Sequence, residues 1–137
     1  MRRLSTSYTA PFVFSLFVIM GVAAGAQAPG GNAEAKKLKN PVPSSPESIK
    51  AGQASFQKYC RFCHGADAKG NGPQAPEGSH PSDLTDAKWD RGDSDGEIFT
   101  VIKEGAGPKF VMKGFKSKMT DQEIWNVVNY MRTLQAK

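Results

Sequence analysis

The sequence predicts an all-α domain, a few helices joined by long loops, on three observations. Apolar side chains recur at helical spacing in three separate segments. Two of these segments follow a capping box, Ser94-Asp95-Gly96-Glu97 in one case and Thr120-Asp121-Gln122-Glu123 in the other. No segment has the pattern of a β-strand, and no internal repeat is visible.

The first 28 residues have the layout of a secretory signal peptide. Arg2-Arg3 provides a positive start, residues 12–24 form an apolar run, and Ala26-Gln27-Ala28 offers small residues for cleavage. We expect a cut after Ala28, with a cut after Ala26 as the alternative. An uncleaved anchor is the other interpretation, but the run is short against the roughly 20 residues that span a bilayer. We therefore expect a periplasmic protein with no stable membrane span.

Charge and cysteine content narrow the class of protein. The formal net charge is +5, and it falls to +3 once Arg2 and Arg3 are removed. A surplus this small does not indicate a nucleic-acid partner. The two cysteines are separated by only two residues, so a disulfide between them would close a tiny loop. The chain is therefore neither a typical nucleic-acid-binding protein nor a disulfide scaffold.

The domain begins after a segment without apolar periodicity. Residues 29–45 are rich in proline, glycine and charge, which predicts a flexible leader. Ser45 can cap a helix that has Pro46 at its first position and that we expect to end near Tyr59. The domain itself is expected to occupy residues 46–137.

The rest of the domain alternates loops and helices. Residues 65–93 predict loops with one short helix near 83–88, and residues 105–119 predict another loop. The helix after Ser94 is expected to end at Gly105, and the last helix follows Thr120. Loops this long usually count against a compact domain, but a large apolar cofactor would fill the space that they enclose.

The strongest chemical signal is Cys60-Arg61-Phe62-Cys63-His64. This spacing is typical of c-type haem attachment, in which two thiols bond to the porphyrin and the histidine ligates the iron. A thioredoxin-type dithiol would need a βαβ pattern, which is absent. A closed zinc site would need four ligands, and only His80 is left to join Cys60, Cys63 and His64. We therefore predict one haem c, covalently bound through Cys60 and Cys63.

With this motif the chain resembles the class I c-type cytochromes, the small monohaem proteins of bacteria. The resemblance covers most of residues 46–135. It lies in the helix that leads into Cys60–Gly65, in Gly72-Pro73, in residues 112–125 and in the last helix. It implies a cytochrome c-like domain wrapped around one haem, and an electron-transfer protein rather than an enzyme.

The resemblance also implies a methionine as the second axial ligand. In similar sequences the ligand methionine stands seven residues before the apolar residue that precedes the cap of the last helix. That apolar residue is Met119 here, so the resemblance makes Met112 the first candidate. Lys113 departs from the family pattern, in which proline often follows the ligand methionine. Met119 and His80 are the alternatives, and Met131 is expected to pack in the core.

Further residues are expected to surround the haem. The resemblance implies that the Pro73 carbonyl accepts the ring N–H of His64, with an ordinary Gly-Pro turn as the alternative. Trp89 is expected to donate its indole N–H to a haem propionate, or else to pack under its loop. The resemblance also implies that the first and last helices cross at Gly52 and Phe56.

A haem with both axial positions filled favours electron transfer over catalysis. Lysines cluster in residues 103–118 around Met112, and we expect them to steer redox partner proteins with an acidic docking surface. A solvated loop without partner preference is the alternative. A haem subunit of a larger dehydrogenase or oxidase complex is the second functional hypothesis, and a gas-binding or peroxidase-type haem protein is the third.

Overall fold

The structure, a computed structural model, describes residues 31–87, 89–107 and 111–135. These ranges contain, in chain order, α1 (Ala33–Lys36), α2 (Pro46–Tyr59), α3 (Arg61–His64), α4 (Asp95–Glu104), β1 (Gly105–Ala106), β2 (Met112–Lys113) and α5 (Asp121–Leu134). The predicted helical fold class is confirmed. The predicted signal peptide lies outside the described residues. In the ranges given above, no helix is both long and apolar enough to cross a membrane.

Side-chain caps determine where the main helices begin. Ser45 accepts a hydrogen bond from a backbone N–H in the first turn of α2, whose first residue is Pro46. Both predicted capping boxes form, one between Ser94 and Glu97 and the other between Thr120 and Glu123. These predictions are confirmed. They could be made from the sequence because each capping bond spans only three residues and therefore depends on local sequence.

Helices α2 and α5 cross at Gly52. A Cβ added there would overlap the backbone carbonyl of Asn126 and lie 2.9 Å from the Cβ of Tyr130. Phe56, one turn further along α2, is fully buried, and its ring centroid is 5.4 Å from that of Tyr130. The predicted crossing is confirmed, and it requires glycine because the two backbones approach so closely.

Helix α4 packs against the other side of α5. The rings of Phe99 and Trp125 stack with centroids 4.0 Å apart and planes 13° from parallel. The guanidinium of Arg132 lies 2.6 Å from the carboxylate of Asp95, which ties the end of α5 to the start of α4. Helices α2 and α4 are thus both held on α5, and their apolar faces form one core with it.

Residues 31–45 differ from the predicted flexible leader. Asn32 caps α1, and its backbone N–H donates to the carboxylate of Glu97 at 3.0 Å. The amide of Asn40 donates to the side-chain oxygen of the buried Asn129 at 2.8 Å. The segment is therefore a packed part of the domain. Its low apolar content concealed this because hydrogen bonds, which leave no apolar period in the sequence, make part of its long-range contacts, with Val42 packed on the core beside them.

Two smaller expectations also differ from the structure. The short helix predicted near 83–88 does not form in residues 83–87, where the Asp83 side chain instead accepts the backbone N–H of Thr85 at 2.8 Å. Such an Asx turn competes with helix formation. Within the loop predicted at 105–119, β1 and β2 pair antiparallel, with Ala106 opposite Met112. Two-residue strands are too short to show an alternating pattern.

Candidate cofactor site

The Cys-x-x-Cys-His motif forms one helical turn directly after α2. The backbone N–H of His64 donates to the carbonyl of Cys60 at 2.9 Å. Residues at positions i, i+3 and i+4 of a helix lie on one face, so this turn presents Cys60, Cys63 and His64 together. All three side chains line one cavity. The local helix therefore converts the spacing of the motif into two thiols and an imidazole that face the same space.

The cavity has a volume of about 580 Å³. This lies within the range of about 300–1,000 Å³ that is usual for ligand and cofactor sites. Helices α2, α4 and α5 contribute apolar side chains to its wall, and loop residues such as Leu84 add to it. The helical contributors include Phe56, Ile98, Ile102, Val127 and Met131. A pocket of this size and lining suits a large apolar cofactor, and the long loops of the domain close around it.

Met112 reaches the cavity from the β-hairpin. It is half-buried in β2, and its pairing with Ala106 holds it at the wall that both residues line. Met119 is buried in the core, outside the described lining of the cavity. Met131 packs in the core as predicted and also lines the cavity. Of the two candidate ligands Met112 and Met119, the fold thus brings Met112 to the cavity that contains His64.

The orientation of His64 is set by a backbone carbonyl. Its Nδ1 lies 3.1 Å from the carbonyl oxygen of Ser82, so a proton on Nδ1 is donated to that oxygen. Burial lowers the pKa of His64, and the contact with Ser82 offsets part of this effect. The ring therefore favours its neutral form with Nε2 left as the basic nitrogen, which is the form that ligates a metal.

The carbonyl within hydrogen-bond distance of the His64 ring is that of Ser82 and not that of Pro73, so this part of the prediction is wrong. Pro73 is exposed, and the backbone N–H of Gly72 before it donates to the carbonyl of Cys63 at 3.0 Å. That bond holds the Gly-Pro turn against the backbone of α3. Ser82 reaches the ring because the chain returns to α3 a second time. Sequence reasoning missed Ser82 because any residue carries a backbone carbonyl and no motif marks it.

Trp89 and His80 also line the cavity. The indole N–H of Trp89 donates to the carbonyl of Asp86 at 3.3 Å. Its predicted hydrogen bond to a haem propionate stays a prediction. His80 is exposed and lies two residues before Ser82. It remains the histidine alternative to Met112 among the residues that line this cavity.

Cys60 does not have the environment of the nucleophilic thiol in a redox-active dithiol. Cys60 and Cys63 are free cysteines. Burial raises the pKa of Cys60 to about 12, with a smaller contribution from the charge of Cys63. In reactive Cys-x-x-Cys motifs the nucleophilic thiol instead has a lowered pKa. The environment of Cys60 therefore does not favour disulfide exchange.

Comparison with known sequences identifies a family for most of the domain. Residues 47–131 match the family described as cytochrome c oxidase, cbb3-type, subunit III. FixP, a cbb3-type cytochrome c oxidase subunit of Rhizobium meliloti (strain 1021), is 32% identical over 94 residues, which cover 68% of this chain and 30% of FixP. The chain thus spans less than a third of the length of this relative.

Solved structures share the fold. A chain of the reducing HAO-like protein complex of Kuenenia stuttgartiensis matches with a TM-score of 0.63 at 25% identity, over 72% of this chain and 50% of its own length. Cytochrome cL of Methylophaga aminisulfidivorans matches with a TM-score of 0.54 at 24% identity, over 76% of this chain and 59% of its own length. This similarity shows the fold alone. The KustC0563 c-type cytochrome matches with a TM-score of 0.51 at 32% identity, over 62% of this chain and 98% of its own length.

The donor set of the cavity fits the cofactor of such proteins. Two thiols on one helical turn match the two thioether links of haem c, and the neighbouring imidazole matches its axial ligand. The apolar walls match the porphyrin. The cofactor is haem c, and Cys60 and Cys63 are the residues that would hold it. The chain belongs to the cbb3-type cytochrome c oxidase subunit III family and is a c-type cytochrome.

Proposed function

We propose that this chain is a periplasmic electron-transfer protein whose haem c iron is ligated by His64 and Met112. The observation that carries the proposal is that both side chains line the apolar cavity that also contains Cys60 and Cys63. When bound, the haem supplies a one-electron couple, and a methionine ligand raises its potential. Export is supported by the signal-peptide pattern of residues 1–28.

The chain's own residues have separate tasks in this proposal. His64 offers a neutral imidazole nitrogen, since burial lowers its pKa. Met112 offers a thioether from β2, which the pairing with β1 keeps at the cavity wall. Side chains such as Phe56 and Ile102 exclude water, and a dry site strengthens the electrostatic influence of each ligand. With both His64 and Met112 as ligands, the haem would have no open position for a substrate, so its chemistry would be electron transfer.

The charges around Met112 support a refined version of the predicted docking surface. Lys103 lies 2.8 Å from the carboxylate of Asp121, and Lys116 lies 2.6 Å from that of Glu104, so their charges are partly neutralised. Lys113 is exposed and lines the cavity, and it has no ion pair with another residue that the structure describes. We expect Lys113 to contribute most to the attraction of an acidic partner. Lys109 lies outside the described residues.

A haem subunit of a larger complex is the second candidate. FixP is a subunit of an oxidase, and the Kuenenia stuttgartiensis relative is part of a complex. Such an assembly would still use the chain for electron transfer. Purification from the native cell under mild conditions distinguishes the two candidates. A free carrier elutes alone, whereas a subunit elutes at constant stoichiometry with its partners.

Visible spectra with carbon monoxide test the proposed ligation. The holoprotein is produced in a periplasm that matures c-type cytochromes, reduced, and exposed to carbon monoxide at neutral pH. We expect the spectrum to change little, since Met112 occupies the position that carbon monoxide needs. Rapid and complete binding to the native reduced protein would defeat the carrier proposal and favour a gas-binding or peroxidase-type protein. A haem spectrum that survives acidic acetone extraction verifies covalent attachment.

A further inference from the structure

We infer that Gly70 is a positioning residue that holds the Ser82 carbonyl on Nδ1 of His64 and thereby lowers the reduction potential of the haem. The inference rests on the proposed function, since it concerns the His64 ligand. It adds a residue that the motif does not contain and that is not among the lining residues of the cavity. The contacts that support the inference lie in two loops that follow the attachment turn, residues 65–72 and 81–85.

The first loop is anchored to the attachment turn. The backbone N–H of Gly70 donates to the carbonyl of His64 at 2.8 Å. Ala68 is buried with φ +63°, a conformation that is uncommon for a residue with a side chain. Its carbonyl accepts the backbone N–H of Leu84 at 2.8 Å. The first loop is therefore bonded to the ligand residue at one point and to the second loop at another.

The second loop packs directly on Gly70. A Cβ added at Gly70 would overlap the carbonyl oxygen of Pro81 and lie 3.4 Å from the carbonyl carbon of Ser82. Gly70 also has φ +79°, which favours glycine. The absence of a side chain lets the backbone of 81–82 approach until the Ser82 oxygen is 3.1 Å from Nδ1 of His64. Any larger residue at position 70 pushes that carbonyl away from the ring.

The contact has a defined electronic consequence. A hydrogen bond from Nδ1–H to a carbonyl fixes the ring tautomer and makes the opposite nitrogen a stronger base. A more basic imidazole stabilises the oxidised iron relative to the reduced iron, so the potential falls. Loss of the contact between His64 and Ser82 therefore raises the potential. The effect passes through the imidazole ring, because the Ser82 oxygen lies at Nδ1 and the proposed ligating atom is Nε2.

A matched pair of variants tests the role of Gly70. Gly70→Asn adds a side chain against Pro81, and Ala66→Asn is the control, because Ala66 is exposed in the same loop and is not among the lining residues of the cavity. Asparagine is used because it tolerates the positive φ of position 70 better than most residues, which keeps the backbone strain of the variant small. We expect Gly70→Asn to shift the Fe(III)/Fe(II) equilibrium at least threefold toward Fe(II), about 30 mV for a one-electron couple. Ala66→Asn should leave the midpoint potential unchanged.

A measurement on the unaltered protein covers the case in which Gly70→Asn does not fold. In the reduced, diamagnetic holoprotein, NMR detects scalar coupling from the Nδ1–H of His64 across a hydrogen bond to a carbonyl carbon. We expect coupling to the carbonyl carbon of Ser82, and slow solvent exchange of the Nδ1 proton. Coupling to the carbonyl carbon of Pro73, or to none, overturns the inference.

The outcomes separate this inference from the proposed function. Equal potentials for Gly70→Asn and the unaltered protein, or equal shifts in both variants, overturn the role of Gly70 while the haem spectrum and the carbon monoxide result stand. A chain that takes up no covalent haem, or one that binds carbon monoxide rapidly in its native form, overturns the proposed function first. The potential is a readout that a merely structural role of Gly70 would not move, and the coupling tests the contact between His64 and Ser82 itself.

Discussion

Glu97 accepts a hydrogen bond from the backbone N–H of Asn32 at 3.0 Å, across 65 residues of sequence. Glu97 is only 4% exposed, and its side chain also closes the capping box of α4 with Ser94. The Glu97 carboxylate therefore both completes the N-terminal cap of α4 and holds the segment that contains Asn32 on the domain. This double use makes its charge state important for stability.

Glu97→Gln should destabilise the protein, and the effect should depend on pH. Burial alone would raise the pKa of Glu97, but hydrogen bonds from Ser94 and Asn32 and the charge of Lys36 together lower it below its ordinary value of 4.5. A carboxyl group whose folded pKa is depressed stabilises the fold above its unfolded pKa, and this contribution is lost as the pH falls through the folded pKa. We expect a loss of about 1–2 kcal/mol at pH 7.

Denaturant unfolding of the holoprotein, followed by circular dichroism from pH 3 to pH 7, checks this prediction. The difference between the unaltered protein and Glu97→Gln should shrink below pH 4.5. Glu77→Gln, at an exposed loop position, is the control and should change stability by less than about 0.5 kcal/mol. A difference that is independent of pH would show that the shape of the side chain matters and its charge does not.

Gly52→Ala should destabilise the domain even though it favours the helix. Alanine is better than glycine in a helix interior by about 1 kcal/mol. At this crossing, however, the added methyl overlaps the carbonyl of Asn126, and overpacking of this kind costs about 1–3 kcal/mol. Because the overlap is with backbone, which cannot rotate away, we expect a net loss in the free energy of unfolding. Ala54→Ser, at an exposed position of α2, is the control.

Met112→Ala should open the sixth coordination position. Carbon monoxide should then bind to the reduced protein rapidly, and the reduction potential should fall because the thioether no longer stabilises Fe(II). Met119→Leu is the control, since Met119 is buried in the core and the exchange nearly conserves volume, at a cost below about 1.5 kcal/mol. Unchanged spectra in Met112→Ala and altered spectra in Met119→Leu would transfer the ligand assignment to Met119.

Lys113→Glu should alter electron exchange according to the charge of the partner. At low salt, oxidation of the reduced protein by anionic ferricyanide should slow by about threefold or more, and reduction by a cationic ruthenium ammine should accelerate. The differences should vanish as ionic strength rises and the Debye length shortens. Lys50→Glu, on the exposed side of α2, changes the net charge equally and is the control. Equal rate changes in both variants would assign the effect to net charge alone.

Helix termini and the attachment turn could be predicted because they depend on contacts between neighbours in the chain. Ser45, Ser94 and Thr120 each cap a helix by bonding a backbone N–H three residues later. The motif from Cys60 to His64 carries its chemistry in five consecutive residues, and one helical turn is enough to present it. Residue types at short spacings are sufficient for such features.

The remaining features depend on contacts between distant parts of the chain, which only the tertiary structure decides. The partner of His64 is the carbonyl of Ser82 and not that of Pro73, because hydrogen bonds hold the turn at Gly72 on α3 and the close approach at Gly70 brings 81–82 to the ring. Likewise, Asn32 and Asn40 join the domain through polar side chains on α4 and α5. The sequence by itself determined the cofactor and the helices, which follow from local spacing. Which carbonyl orients the His64 ring, and where the domain begins, were decided by long-range packing that leaves no periodic signal.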